Sequence, residues 1–285
     1  MNNIINDLQH RASAHHQLIK LIVYSLLIIN FVLYIRDDWV IAGHTLYDGS
    51  TWLDWTRAFA VTIDESAWII LLLLFEMETF LLSDNALSRW QSTVMLAIRL
   101  VCYISLGHTL YAYSVYVNEL HSAVLIPDVD NLCQLVDQRV SYAYNLIYNE
   151  INTENCASLS RASQYYYIDP TTHFIVQDRA GLNIELQLAW VDLIEAVVWL
   201  LILATIEISV WLQDRGVGTG AIFKSFATMK YFLYSLLWMA IAYWIYRGHW
   251  MFAWDEFVWI AGFIAIELNM VEWRKELIDK EQRTK

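Results

Sequence analysis

Residues 75–82 read FEMETFLL and close a strongly apolar run, so Glu76 and Glu78 sit among side chains suited to lipid. A carboxylate in hydrocarbon is costly and normally has a partner or a task. Two later runs repeat the arrangement. Trp68, Trp199 and Trp259 precede Glu76, Glu207 and Glu267 by the same interval, and a polar residue follows each acid: Glu78, Ser209 and Asn269. The runs before them open with a base followed one turn later by a tyrosine: Lys20 and Tyr24, Arg99 and Tyr103, Lys230 and Tyr234. A base favours the ionised carboxylate, and a tyrosine hydroxyl donates to it. Three polar clusters are therefore expected in the cytoplasmic half of a membrane bundle, built from Lys20, Tyr24 and Glu76, from Arg99, Tyr103 and Glu207, and from Lys230, Tyr234 and Glu267, each acid paired within its own hairpin or with a neighbouring one. The chemistry such clusters offer is passage of protons or small cations. Glu78 points away from Glu76 on a helix, so it is expected to be protonated or to face a wet cavity. His108 is the histidine inside an apolar run, where it packs as a hydrogen-bonding residue or relays protons.

Positioning these residues requires long helices. Six apolar runs, at 18–35, 60–82, 94–117, 186–212, 226–246 and 252–271, each approach or exceed the ~20 residues an α-helix needs to cross a bilayer. The chain has 285 residues, 58% of them apolar, with two prolines, 14 Trp and 17 Tyr. Such aromatics favour membrane–water boundaries. The expected fold is an all-α polytopic membrane protein: six transmembrane helices arranged as three pseudo-repeated helical hairpins, with a small α+β extracytoplasmic lobe between helices 3 and 4. The run at 18–35 has no small-residue cleavage site after it and is kept as the first span rather than a signal peptide.

Loop charge gives the direction. Lys and Arg concentrate in the N-terminal tail, in the loops after the second and fourth runs and in the C-terminal tail, while the opposite side is crowded with Asp and Glu. The positive-inside rule then places both termini in the cytoplasm. The corresponding organisation is helices 1–3 in 1–117 with a Trp-rich outer loop at 37–59, a lobe at 118–185, helices 4–6 in 186–272 and a charged cytoplasmic tail at 273–285. A net charge of −12 argues against a nucleic-acid partner. The absence of Asn-x-Ser/Thr sequons favours a bacterial inner membrane over the secretory pathway.

Within the lobe, apolar residues at Leu132, Val136, Val140, Tyr144 and Ile147 recur at helical spacing and predict a helix over 128–151. Residues 164–178 read as two short β-runs around a Pro-containing turn. Cys133 and Cys156 lie on the outer side, where oxidation is permitted, and are expected to form a disulfide joining that helix to the hairpin. Cys102 is expected to be an unpaired core thiol.

No P-loop, GxGxxG, HExxH or GxSxG is present, and no cofactor or metal is expected. Two functions follow. One is a transporter or channel moving protons or small cations past the glutamates. The other is a non-catalytic membrane scaffold that docks another protein through the lobe, its YYY run and the aromatic outer loops. The expected partners are the lipid bilayer and a further copy of the chain or a partner membrane protein.

Overall fold

Apolar runs poor in Gly and Pro fold here as long helices. The computed structural model describes residues 2–77, 88–169, 172–214 and 221–264. The helices are α1 Asn2–Thr45, α2 Trp52–Ala58, α3 Ala60–Glu76, α4 Arg89–His121, α5 Cys156–Leu159, α6 Arg179–Asp214 and α7 Ala221–Arg247. Residues 250–264 form α8. The chain divides into two compact units, Met1–Val32 with Ala227–Lys285, and Leu33–Phe226, with α1 contributing to both.

In the first unit Leu27, Leu237, Trp244 and Ile260 are fully buried. Asn30 Nδ2 donates to Asp255 Oδ1 at 2.7 Å, so a buried acid is met by an amide. Gly248, at φ 85°, turns α7 into α8, a conformation that a Cβ would strain.

In the second unit α4 is the organising helix. It starts at a reciprocal cap, in which the Ser88 hydroxyl accepts from Gln91 N while Gln91 Oε1 accepts from Ser88 N. It packs against α3 on one side and α6 on the other. Tyr103 meets Glu207 and His121 meets Trp190, so α4 and α6 run antiparallel. A second reciprocal cap, Thr51 with Asp54, starts α2, which meets α3 at 69° across Phe59.

The lobe is a five-stranded mixed sheet in the order β1-β4-β5-β2-β3. Its strands are β1 Val124–Leu125, β2 Ser141–Tyr144, β3 Ile147–Glu150, β4 Tyr165–Tyr167 and β5 Ile175–Asp178. β2 and β5 pair in parallel, and the remaining neighbours are antiparallel. A core of Leu132, Val140, Tyr142, Tyr165 and Val176 lies within the lobe. A second cluster joins Ala143, Ile168 and Ile175 to Val117 and Leu120 of α4 and Ala189 of α6, seating the sheet on the ends of both helices.

Several expectations are corrected. Among the described residues one helix, α4, is long and apolar enough to cross a membrane, or two spans if the bent α2–α3 pair counts as one, so the six-span architecture is not supported. α6 carries the carboxylates Glu185, Asp192, Glu195 and Glu207, and Arg36, Asp37 and Asp38 follow directly on the apolar part of α1. The units are two rather than three hairpins, and α1 is shared between them. The outer loop at 37–59 is largely helical, because α1 continues to Thr45 and α2 follows.

The helix expected over 128–151 is a 3₁₀ helix, Leu132–Gln138, followed by β2 and β3. Left-handed residues break the α-periodicity there: Arg139 has φ 51°, and Asn145 and Leu146 have φ 52° and 61°. Two successive positive φ values make the tight turn that suits a two-residue hairpin. The two β-runs of 164–178 are β4 and β5, paired antiparallel. Cys133 and Cys156 form a disulfide with a Cα–Cα distance of 4.9 Å, tying the 3₁₀ helix to α5 rather than to the β4–β5 hairpin.

Candidate functional site

The α4–α6 pair is apolar outside and acidic inside. From Leu100 to Tyr111 the exposed α4 positions are Leu100, Val101, Ile104, Gly107 and Tyr111. Between Trp190 and Trp211 every exposed described position of α6 is apolar except Glu207. The acids turn the other way. Asp192 and Glu195 of α6, Asp64 of α3 and Asp38 of α1 all lie close enough to the half-buried Tyr113 of α4 to act on its phenol electrostatically. Asp38 is buried and fixed by Thr62, whose backbone N and Oγ1 donate to Oδ2 at 2.9 and 2.7 Å. Four carboxylates from three helices thus act electrostatically on one phenol.

A second polar group lies where α4 and α6 meet the sheet. Glu185, on the first turns of α6, is fully buried, and burial pushes its carboxyl up to about 7. Its Oε1 accepts from Leu146 N at 3.1 Å. The left-handed β2–β3 turn aims that N–H at the carboxylate, which offsets the strain of a side chain at positive φ. Glu185 Oε2 has no partner. Gln177 of β5 is close enough to lower the Glu185 pKa, yet neither of its amide atoms makes a directed hydrogen bond. The Tyr116 hydroxyl of α4 is buried close to the Tyr148 phenol but makes no directed hydrogen bond. Burial, and then the Glu185 carboxylate, hold the neighbouring Tyr148 phenol above its ordinary range. Buried polar atoms are nearly always paired, so this concentration of atoms without a directed hydrogen bond sets the region apart from the rest of the described core.

The sequence-derived candidates are placed as follows. Tyr103 Oη donates to Glu207 Oε1 at 2.8 Å, with Arg99 half-buried one turn earlier on α4; Glu207 itself is exposed. Lys20 and Tyr24 are half-buried on α1 in the first unit, whereas Glu76 is half-buried at the end of α3 in the second. Lys230 is half-buried and Tyr234 buried on α7. Glu78 and Glu267 lie outside the described residues. His108 Nε2 is 3.0 Å from Thr56 Oγ1, and its Nδ1 is buried without a partner. Cys102 is a free, buried thiol. Tyr165 of the YYY run is fully buried in the sheet, not displayed for docking.

Asp38, Asp64, Asp192, Glu195 and Glu185 were not among the candidates. A signal for two of them was present: Asp192 and Glu195 share a helical face with Val198, Trp199 and Ile202, all buried. Among the described residues no group of three or more His, Cys, Asp or Glu converges as metal ligands would. No protein-family model, curated protein or solved structure matches the chain.

Proposed function

We propose that this chain is a membrane protein that relays protons between the carboxylates around Tyr113 and the Glu185 group beneath the lobe. The observation that carries the reading is the gathering of Asp38, Asp64, Asp192 and Glu195 about Tyr113, a residue of the helix best suited to cross a membrane. The uncharged stretch 100–118 of α4 rises about 28 Å, close to the ~30 Å of a hydrocarbon core. Only 22% of the apolar window of α4 is buried within the protein, whereas a core helix of a water-soluble fold would be mostly covered. Carboxylates inside and aliphatic side chains outside suit lipid and are inverted for water. A purely adhesive role for the acids is the weaker account, because polar contacts between membrane helices average about 0.6 kcal/mol.

Flux into proteoliposomes loaded with a pH-sensitive dye, driven by a potassium diffusion potential, tests the reading. Tyr113→Phe and Asp64→Asn are expected to cut the rate by roughly tenfold or more, the scale of losing a positioned proton-transfer group. Absence of flux in folded wild-type protein excludes the relay. It would leave the scaffold reading, which one observation favours: the sheet edges expose Val124, Leu125 and Ile147, where another chain could add a strand.

A further inference from the structure

The short helix α2 is built inside out for water. Its polar residues Thr56 and Arg57 face the protein. Thr56 Oγ1 lies 3.0 Å from His108 Nε2, and Arg57 Nη2 donates to both oxygens of Glu119 at 2.7 Å. Its large apolar residues face away: Trp52 is 81% exposed, and Leu53 and Trp55 are also exposed. Trp39 of α1, 67% exposed, extends the same surface through Phe59, which packs against both Trp39 and Trp55.

Two further facts select what covers this surface. α2 is anchored to α4 by Thr56 at His108, in the middle of the uncharged stretch 100–118, and by Arg57 at Glu119, so its Arg57 contact lies at the level where that stretch ends on the lobe side. It also meets α3 at 69°, nearly perpendicular to a helix that packs on α4. A short helix lying across the bundle at that level, with tryptophans outward, matches the headgroup–acyl boundary, where an indole keeps its ring in apolar surroundings and its N–H in contact with water.

We infer that α2 is an interfacial helix whose Trp52, Leu53 and Trp55 face, together with Trp39, is seated in the lipid boundary on the lobe side of the membrane. The occupant is the bilayer itself, not a protein. The flanking Asp37, Asp48 and Asp54 disfavour anionic headgroups, so a zwitterionic surface fits best. The inference rests on the membrane placement of α4 in the proposed function but not on proton flux.

The test uses the full chain in phosphatidylcholine vesicles, with nitroxide labels at Trp52→Cys and Trp55→Cys. Ile104→Cys on the outward face of α4 serves as a lipid reference and Glu150→Cys on the exposed β3 as a water reference. Collisions with oxygen and with a water-soluble nickel chelate report depth. The expected result is that positions 52 and 55 favour oxygen, at a depth shallower than position 104, while position 150 favours the chelate. Chelate access at 52 and 55 equal to that at 150, or exclusion of both reagents by a protein partner, overturns the inference. If position 104 still reads as lipid in that case, the membrane placement of α4 stands without it. Weaker quenching of Trp52→Phe than of wild-type fluorescence by shallow brominated lipid gives the same answer without a label.

Discussion

The two ends of the α4–α6 pair carry similar residue types in opposite circumstances. At one end Tyr103 donates to Glu207, and the acid is exposed. Toward the lobe, Tyr113 sits among Asp38, Asp64, Asp192 and Glu195, and beyond it Glu185, Gln177 and Tyr116 keep buried atoms without a directed hydrogen bond. A tyrosine beside a carboxylate therefore does not by itself define a working site. The Tyr103–Glu207 pair is hydrogen-bonded and its acid is open to solvent. In the enclosed and incompletely paired group burial disfavours the charged form.

The difference can be broken from the lobe side first. The sheet that covers the Glu185 group is tied by Cys133–Cys156, which closes a loop of sequence separation 23. Replacing both cysteines by serine should destabilise the lobe by about 3 kcal/mol on the loop-entropy model. Chemical denaturation followed by near-ultraviolet dichroism checks this, and the Tyr103–Glu207 end should be unaffected.

Glu185 sharpens the comparison. Its folded-state pKa of about 7 lies above the ordinary 4.5, so the protonated form is favoured by folding. Stability from this group is therefore fully present below pH 4.5 and is lost as pH rises through 7. At one pKa unit per 1.36 kcal/mol, the full loss amounts to about 3 kcal/mol. Melting curves at pH 5 and pH 8 should separate in the wild type and separate less in Glu185→Gln, with the variant the more stable at pH 8. The smallest effect is expected at the other end: Tyr103→Phe should cost about 0.6 kcal/mol, the average for a polar contact between membrane helices, with no change in pH dependence.

Much of the helical scaffold was legible in the apolar runs. Residues 94–117 fall within α4 and 186–212 within α6, because length and low Gly and Pro content dictate helix whatever surrounds it. The disulfide was legible from the side of the membrane on which its cysteines were placed. The strands at 141–150 were not. Leu132, Val136, Val140, Tyr144 and Ile147 keep helical spacing by coincidence, and the left-handed turn at Asn145 and Leu146 carries no glycine to announce it. The acidic group around Tyr113 was hidden for a different reason. Asp38, Asp64 and Asp192 lie far apart in the chain, and only the packing of α1, α3 and α6 around α4 brings them together. The recurrent Trp–Glu interval drew attention to Glu207, whereas Glu195, a few residues before Trp199, stands in the enclosed group.

The most direct measurement is proton flux in proteoliposomes containing Asp192→Asn or Glu207→Gln, each compared with wild type at matched protein density. The account predicts that Asp192→Asn lowers the rate by roughly tenfold or more while Glu207→Gln stays within about twofold of wild type. Equal losses in both variants, or a loss confined to Glu207→Gln, would contradict it.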